Sequence, residues 1–366
     1  MQQIRLGMIG CGYISHAHGR ASRKTNKNIR FVACASRDPE AVKAWADAYG
    51  CDRSYTDYRE MLRYEQLDGV VIATWPNVHR EQIEEAIAAG VRFILCEKSL
   101  AVSGNDALAI WDIANKEGAC VVEAFMYRHH EAIACVDRLV APAEIGKIDC
   151  IHGAFHMFDA EDDAADDAKR TWRHRAEAGG GVLHDFICYP VDAANKYAGA
   201  PPIRASAFGT TSEKFGVINR LFALVEYQNG CVASLESSRK AAFRQSLRIA
   251  GSRAIIDLPT AWSIRDDVTV TKTTIPAFLV EQQSQFPIKS GAHDGTLTDF
   301  PIFTRQLESF AEAIVGVRSP IISLSESVVN ALTLDAIGES FRTGAQVEIA
   351  IPQRILDAKE GGEANA

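Results

Sequence analysis

The sequence predicts two domains, an N-terminal α/β domain with a parallel sheet and a C-terminal α+β domain with an open, mainly antiparallel sheet. With 366 residues, the chain is long enough for two hydrophobic cores. Apolar strand-like segments alternate with helical patterns up to residue 124, and this alternation is typical of a parallel sheet. Beyond residue 125 strand-like segments follow one another with turn signals between them, which favours antiparallel pairing as far as residue 351. Residues 358–366 are expected to form a flexible tail.

The elements of the first domain are short apolar runs separated by amphipathic segments. The predicted strands cover residues 4–9, 31–35, 69–74, 93–96 and 120–123. The predicted helices cover residues 39–49, 79–89 and 105–117. Ligands bind outside the carboxyl ends of parallel strands, so the residues that follow these strands are the first candidates for a binding site.

The first strand leads into residues 10–15, which read GCGYIS, and a helix is predicted to follow. Gly10 and Gly12 permit a tight turn and a close approach of the backbone, so a pyrophosphate can bind at the start of the helix. Ser15 is small enough to keep this helix close to the sheet. The motif in this context predicts a dinucleotide-binding Rossmann domain, with Tyr13 and Ile14 also at the cofactor. A similar sheet that holds no nucleotide is the alternative.

The end of the second strand indicates which dinucleotide binds. In NAD-binding proteins, an Asp or Glu at this place holds the ribose 2′-hydroxyl. Here Ser36 and Arg37 occupy it, and a hydroxyl and a guanidinium suit a 2′-phosphate. Asp38 comes one or two positions too late, and we interpret it as the cap of the helix that begins at Pro39. The predicted cofactor is therefore NADP(H).

The ends of the later strands should border the same crevice. The side chains expected there, as cofactor contacts, are Thr74, Trp75, Asn77, His79, Glu97 and Lys98. Chains rarely bury an unpaired lysine, and the strand before Lys98 is apolar. We therefore expect Lys98 to point toward the nicotinamide half of the cofactor. A snorkelling surface lysine is the alternative.

The second domain supplies partners for this lysine. Its predicted strands cover residues 148–157, 204–209, 221–227, 231–237, 247–249, 254–257 and 268–271. Between the first two strands, residues 182–197 are predicted to form one helix, with Asp185, Tyr189 and Asp192 on one face and Pro190 as a source of a kink. Taken singly, Tyr189 also suits a core position, and Asp185 a cap or salt bridge.

Composition excludes several classes of function. A net charge of −8 argues against a nucleic-acid partner. Nine cysteines, an odd number without a CxxC pair, indicate a reducing compartment, and no metal-ligand cluster is evident. No apolar run approaches the length of a membrane span, and the N-terminus enters a strand directly, without a signal peptide. We expect a cytoplasmic protein.

Several motifs together resemble one family. They are GCGYIS at 10–15, Glu97-Lys98, EAFMYR at 123–128, IGK at 145–147, Trp172-Arg173 and GGGVLHDFICYP at 179–190. This set resembles the Gfo/Idh/MocA oxidoreductases over residues 4–351. The most similar subgroup contains glucose–fructose and aldose–aldose oxidoreductases, xylose and dihydrodiol dehydrogenases and sugar ketoreductases. Ser99 and Ser15 depart from the family pattern, which has proline and alanine or glycine there.

The resemblance implies NADP-dependent hydride transfer at a sugar carbon, with Lys98 and Tyr189 beside the reacting atoms and Asp185 orienting them. It also implies cofactor contacts by Trp172 and Arg173, and Arg128 is a further candidate. Residues 158–170 carry six acids and are expected to form a solvated loop at the mouth of the substrate site, so that Phe158 is a candidate substrate contact.

A tyrosine with an ordinary pKa of about 10 is a poor base at neutral pH. A lysine ammonium about 4 Å from the phenol contributes roughly 4 kcal/mol at an effective dielectric of about 20. This energy corresponds to about three pKa units as an upper bound, because burial of either charge opposes it, so Lys98 is expected to lower the pKa of Tyr189 to about 7 at the lowest.

The predicted reaction is oxidation of an aldose to its lactone. Tightly bound NADP that couples oxidation of one sugar to reduction of another is an extension of it. A keto-sugar reductase, a nicotinamide-dependent glycosidase and a non-catalytic NADP-binding regulator are the alternatives. A homodimer or homotetramer through the exposed face of the C-terminal sheet is also expected.

Overall fold

The N-terminal domain contains a parallel sheet, as predicted. Its strands are β1 (Ile4–Ile9), β2 (Ile29–Ala35), β3 (Arg53–Tyr55), β4 (Gly69–Ile72), β5 (Phe93–Cys96) and β6 (Cys120–Glu123). They pair in parallel in the order β3-β2-β1-β4-β5-β6. The computed structural model describes residues 3–159, 171–264, 267–277, 280–289, 296, 299 and 301–363. Strand β3 was not predicted, because it has three residues at the sheet edge and none is fully buried.

Helices connect these strands. They are α1 (Ser15–Lys24), α2 (Pro39–Tyr49), α3 (Tyr58–Tyr64), α4 (Pro76–Ala88) and α5 (Gly104–Glu117). The carboxylate of Asp38 accepts hydrogen bonds from the backbone N–H groups of Glu40, at 2.9 Å, and Ala41, at 3.2 Å. Asp38 is therefore the N-cap of α2, as interpreted from the sequence, and its carboxylate is occupied by the helix.

The second sheet is mixed but mainly antiparallel. Its strands are β7 (Ile148–His156), β8 (Pro202–Thr211), β9 (Ile218–Tyr227), β10 (Val232–Ser238), β11 (Arg244–Gly251), β12 (Ala254–Leu258), β13 (Val268–Ala277), β14 (Val280–Ile288) and β15 (Val347–Glu348). The order is β14-β13-β12-β11-β7-β10-β9-β8-β15, and among the described strands only β7 and β10 pair in parallel. Strands β14 and β15 were missed, because β14 is polar and exposed and β15 has two residues.

The helices of this half are α6 (Glu131–Leu139), α7 (Pro142–Ile145), α8 (Val182–Asp185), α9 (Cys188–Tyr197), α10 (Pro301–Ile314), α11 (Leu324–Thr343) and α12 (Gln353–Glu363). The prediction of one helix over 182–197 was wrong, because the helix is interrupted: α8 ends at Asp185 and α9 begins at Cys188. Pro190 lies in the first turn of α9, where its missing N–H is tolerated; in a continuous helix it would remove a hydrogen bond. Asp185 therefore ends one helix and Tyr189 begins the next.

The C-terminal helices return to the first domain. The Trp111 indole on α5 donates to the Ser325 hydroxyl on α11 at 3.2 Å, and the Gly104 N–H donates to the Asp335 carboxylate at 2.6 Å. Helix α12 includes part of the predicted tail, and Ile355 in its first turn is fully buried. Within the described ranges, no helix has both the length and the apolar character to cross a membrane.

Candidate active site

The turn after β1 lies directly against the end of β4. Gly10 has φ +93°, and a Cβ there would lie 2.8 Å from the Ala73 carbonyl oxygen and 2.8 Å from a Thr74 methyl carbon. A Cβ built at Gly12 would instead meet nothing within 4 Å. Gly10 is thus required for packing of the turn, whereas Gly12 faces open space that a ligand can fill.

This open turn suits a dinucleotide. Among the described residues, no acceptor is bonded to the backbone N–H groups of Gly12, Tyr13 and Ile14, which precede α1. The Ser15 hydroxyl donates to the Gly12 carbonyl oxygen at 2.5 Å, and this bond ties the turn to the first residue of α1. N–H groups at a helix start bind a pyrophosphate. Gly12, Tyr13 and Ile14 are therefore the candidates for binding the phosphates of a nicotinamide dinucleotide.

The end of β2 is also suited to an anionic group. Ser36 is half-buried and Arg37 is exposed. No ion pair of Arg37 occurs within the described residues, while the neighbouring Asp38 carboxylate is occupied in capping α2. The guanidinium is therefore available to a phosphate at the edge of the crevice.

The four residues expected near the cofactor after β4 lie in its following loop, Thr74 and Trp75, and in the first turn of α4, Asn77 and His79. Trp75 and Thr74 are half-buried and Asn77 is exposed, so all three have surface at the crevice edge. His79 is completely buried, with Nδ1 at 3.0 Å from the Ser99 carbonyl oxygen and Nε2 at 3.3 Å from that of Thr74. Burial lowers the pKa of His79 and keeps its ring neutral. His79 thus joins the loop after β4 to the loop after β5, and the contact of its side chain with a cofactor stays a prediction.

Lys98 is a partner of Asp185, not a snorkelling surface lysine. Its ammonium donates to the Asp185 carbonyl oxygen at 2.6 Å and to Asp185 Oδ1 at 2.9 Å, and lies 5.0 Å from the centroid of the Tyr189 ring. Burial by itself lowers the pKa of Lys98, but the negative charge of Asp185 outweighs it, and the pKa is raised. Lys98 is therefore an ammonium at neutral pH.

The Lys98–Ser99 peptide bond is cis. The Ser99 hydroxyl donates to the carbonyl oxygen of His184 at 3.0 Å. A proline at this position has no hydroxyl and cannot make this bond. Ser99 therefore adds a direct contact between the Lys98 loop and the residue before Asp185.

Asp185 binds three cationic side chains. In addition to Lys98, Arg173 Nε donates to Asp185 Oδ2 at 2.8 Å and Arg239 Nη2 donates to the same oxygen at 2.7 Å. Burial would raise the pKa of Asp185, but the charges of Arg173, Lys98 and Arg239 hold it well below the usual range. Asp185 is therefore a buried carboxylate that organises the cationic groups around it.

Tyr189 is buried among aromatic rings. Its hydroxyl lies 3.6 Å from the sulfur of Met126, and its neighbours are Phe125, Tyr127, Phe155 and Trp262. Burial raises the pKa of Tyr189 by more than the charge of Lys98 lowers it, so the pKa lies above its ordinary value. The predicted fall of this pKa toward 7 was wrong, because Lys98 lies over the ring and its hydrogen bonds go to Asp185. The phenol is neutral at physiological pH.

Two other predicted cofactor residues serve the packing of the protein. Arg128 is buried, with Nε 3.2 Å from Asp192 Oδ2 and Nη2 2.7 Å from Glu326 Oε1, so it is not open to the crevice. Glu97 is buried and pairs with His18 Nε2 on α1 at 2.9 Å. Both side chains are thus bound within the protein, and their contacts with the cofactor stay predictions. Asp192, predicted on the face of Asp185 and Tyr189, belongs to the Arg128 pair instead.

The remaining predicted residues lie at the surface of the site. Trp172 is half-buried, and the guanidinium of Arg173 lies 5.0 Å from its ring centroid. Phe158 is exposed, and residues 160–170 of the acidic stretch lie outside the described residues.

Sequence reasoning missed Arg239 and Asp159, which form an ion pair beside Asp185. Arg239 comes directly after β10, and a charged residue at the end of a buried strand was the signal that identified Lys98. The same signal was present at Arg239 and was not used.

Comparisons with known proteins agree with this architecture. Residues 4–125 match the GFO_IDH_MocA model, described as an oxidoreductase family with an NAD-binding Rossmann fold. Residues 133–257 match the GFO/IDH/MocA C-terminal domain. D-xylose 1-dehydrogenase (NADP(+)) 2 of Haloferax volcanii is 30% identical over 318 residues, which cover 87% of this chain and 91% of that protein.

Two solved structures share the fold. Levoglucosan dehydrogenase, in complex with NADH and levoglucosan, aligns with a TM-score of 0.81 at 23% identity, over 96% of this chain and 100% of that one. KijD10, a 3-ketoreductase from Actinomadura kijaniata in complex with NADP and TDP-benzene, aligns with a TM-score of 0.79 at 22% identity, over 93% and 98% of the two chains.

Proposed function

The chain belongs to the Gfo/Idh/MocA oxidoreductase family, and from this premise we propose that it is an NADP-dependent dehydrogenase that oxidises an aldose to its lactone. The family relatives are sugar dehydrogenases and reductases, and a sugar oxidoreductase is the activity that they share with this chain. The observation that carries the proposal is the cluster of Lys98, Asp185 and Tyr189. Lys98 follows β5 and the open turn at Gly12 follows β1, so both lie at the carboxyl edge of the same parallel sheet.

NADP is favoured over NAD by the end of β2. Arg37, which has no ion pair among the described residues, and the Ser36 hydroxyl suit a 2′-phosphate, and the neighbouring Asp38 carboxylate is occupied by α2. The xylose dehydrogenase relative is named for NADP(+), whereas the levoglucosan dehydrogenase structure contains NADH. Ser36 and Arg37 support the first of these two precedents.

The side chains divide the chemistry between them. When bound, NADP supplies the acceptor for the hydride that leaves the anomeric carbon. An ammonium has three donors, and Asp185 takes two bonds from Lys98, so the third can bind the anomeric oxygen of the sugar. Tyr189 is the group that accepts the hydroxyl proton. Because burial raises the pKa of Tyr189, its phenolate is scarce at neutral pH and oxidation gains from alkaline conditions.

The same neutral phenol favours a second candidate, reduction of a keto sugar. A protonated Tyr189 is ready to donate its proton to the oxygen of a carbonyl that is being reduced. The relative from Actinomadura kijaniata is named a dTDP-3,4-didehydro-2,6-dideoxy-alpha-D-glucose 3-reductase. We expect both directions at one site, with oxidation of aldoses as the main activity.

The test begins with the purified protein and any nucleotide that copurifies, identified by mass and absorbance. Aldoses and ketoses are then supplied with NADP(H) or NAD(H), nicotinamide absorbance at about 340 nm is followed, and products are analysed by mass spectrometry. NADP-dependent lactone formation supports the proposal. Release of a glycosidic leaving group without net nicotinamide change would indicate a glycosidase, and nucleotide binding without turnover of any sugar would indicate a regulator. Sugar oxidation linked to reduction of a second sugar, without nucleotide release, would indicate tightly bound NADP.

We also propose a cytoplasmic homodimer or homotetramer, assembled through the open face of the second sheet. Phe208 on β8 is 69% exposed and stacks on Phe222 of β9 at a centroid distance of 5.3 Å, with the exposed Leu224 on the same strand. Exposed apolar groups of this kind are typical of protein contacts. Light scattering after size-exclusion chromatography gives the mass, and a monomer would contradict the proposal.

A further inference from the structure

We propose that Arg239 is a positioning residue of this active site, which holds the Asp185 carboxylate in the orientation that fixes Lys98. The catalytic part of this inference rests on the proposed sugar oxidoreductase function. Arg239 directly follows β10, and its side chain is 1% exposed. It donates to Asp185 Oδ2 at 2.7 Å and pairs with Asp159 through its other terminal nitrogen.

The two carboxylate oxygens of Asp185 have different partners. Oδ1 accepts from Lys98, and Oδ2 accepts from Arg239 and Arg173. Bonds on both oxygens fix the plane of the carboxylate and hence the place of the ammonium. The side chain of Arg173 is 40% exposed and belongs to a short surface turn, whereas that of Arg239 is enclosed. Arg239 is therefore the rigid member of the pair.

Arg239 also contacts the break between α8 and α9. Its guanidinium carbon lies 4.7 Å from the centroid of the Phe186 ring, the residue after Asp185. A planar guanidinium can bind carboxylates at its edge and stack on an aromatic face at the same time, which a lysine ammonium cannot do. The side chain thus fixes both the last residue of α8 and the residue that follows it.

The backbone of Arg239 is anchored in the second sheet. Its N–H donates to the Asn219 carbonyl oxygen at 2.9 Å, and its carbonyl oxygen accepts from the Asp159 N–H at 2.9 Å. The Met157 N–H donates to the Ser238 carbonyl oxygen at 3.0 Å. The ends of β7, β9 and β10 therefore meet at Arg239, and through Arg239 the second sheet is connected to the Asp185 carboxylate that binds Lys98.

The proposal predicts a defect in turnover more than in cofactor binding. Displacement of a reacting group by about 1 Å costs on the order of 10²-fold in rate. Arg239→Met is expected to lower kcat for sugar oxidation by about 10²-fold, with the Kd for NADPH changed by less than about twofold, because Arg239 has no contact with the open turn at Gly12. Arg239→Lys keeps a cation near Asp185 and is expected to recover part of this loss.

The matched control is Arg248→Met. Arg248 lies on β11, pairs with Asp257 at 2.6 Å and is 56% exposed. Its variant should keep wild-type kcat, KM and NADPH affinity. All three variants are compared by steady-state kinetics, nicotinamide fluorescence titration and crystal structures. The Arg239 variants are expected to show the Asp185 carboxylate rotated and at least one of its two contacts with Lys98 lost.

The inference would be overturned if Arg239→Met matched Arg248→Met in kcat. It would be overturned equally if Asp185 and Lys98 kept their wild-type positions in the crystal structure while kcat fell. If the wild-type protein oxidised or reduced no sugar, the proposed function would fail, and the crystal structures would still decide whether Arg239 positions Asp185. If Arg239→Met does not fold, Arg239→Lys is compared with Arg248→Met instead, and equal kcat values of these two variants would overturn the inference.

Discussion

Replacing Asp185 by Asn removes the one charge that three cations share. The isosteric amide keeps one acceptor, which can still bind Lys98. Its NH2 group, however, replaces the oxygen that accepts from Arg173 and Arg239, so the N–H donors of the amide face the N–H donors of the two guanidinium groups. We expect Asp185→Asn to fold with lower stability and to lose the arrangement of Lys98.

The size of the effect follows from the burial of each partner. Removing one member of a buried ion pair costs about 3–5 kcal/mol, because a charge is left uncompensated. Arg173, with 40% of its side chain exposed, can turn to solvent, and Arg239 retains Asp159. Of the three cations, Lys98 is then the one left both buried and without its carboxylate, so the lower end of that range applies, about 3 kcal/mol.

Urea unfolding followed by tryptophan fluorescence measures this difference at neutral pH. The control is Asp257→Asn, because Asp257 pairs with the exposed Arg248 and such surface pairs contribute at most about 1 kcal/mol. The pKa of Asp185 is depressed in the folded state, so its contribution is present above the unfolded value of about 4 and declines as the pH falls below it. Equal unfolding free energies for the two variants at neutral pH would refute the reasoning.

Three further outcomes are expected. Gly12→Ala should leave thermal stability unchanged, because the added Cβ enters open space, but should weaken NADP binding in a fluorescence titration. Gly10→Ala should destabilise the fold, because its Cβ would clash with Ala73 and Thr74. An equal loss of stability in the two variants would contradict this. Arg37→Ala should raise KM for NADP about 10-fold or more, with no comparable change for NAD, and a parallel change for both nucleotides would refute a 2′-phosphate site. Tyr189→Phe should lower the rate of hydride transfer in stopped-flow assays by about 10²-fold or more, and the rate of oxidation by the wild-type protein should rise with pH. The control is Tyr197→Phe, because the Tyr197 hydroxyl donates to Asp137 at 2.8 Å. A flat pH profile of the wild-type protein would argue against tyrosine as the base.

The parts of the site that sequence could predict are those governed by strand ends. Lys98 follows an apolar strand of a parallel sheet, and the rule that such ends border a ligand crevice is enough to place it. Asp185 and Tyr189 were identified by spacing, and they do lie beside Lys98 although the predicted helix is broken between them.

Protonation states depend on residues that no local pattern reveals. The neutral phenol of Tyr189 results from burial against Phe125, Phe155 and Trp262, which come from distant parts of the chain. His79, Glu97 and Arg128 have polar side chains at strand ends or in a family-like motif, yet each is buried and paired within the protein. A sequence pattern therefore indicates that a residue is constrained, and only tertiary contacts show whether a ligand or the protein imposes the constraint.

Helix α11 has a consequence for how the chain folds during synthesis. Val328, Val329 and Ala331 of this helix, together with Ile355, share one core cluster with strands β1, β2, β4, β5 and β6. The ribosome makes the whole parallel sheet about 200 residues before it reaches that helix, so the nascent first domain has an uncovered apolar flank throughout translation of the second. A fragment that stops at residue 124 would therefore contain the parallel sheet without the helix that covers this flank.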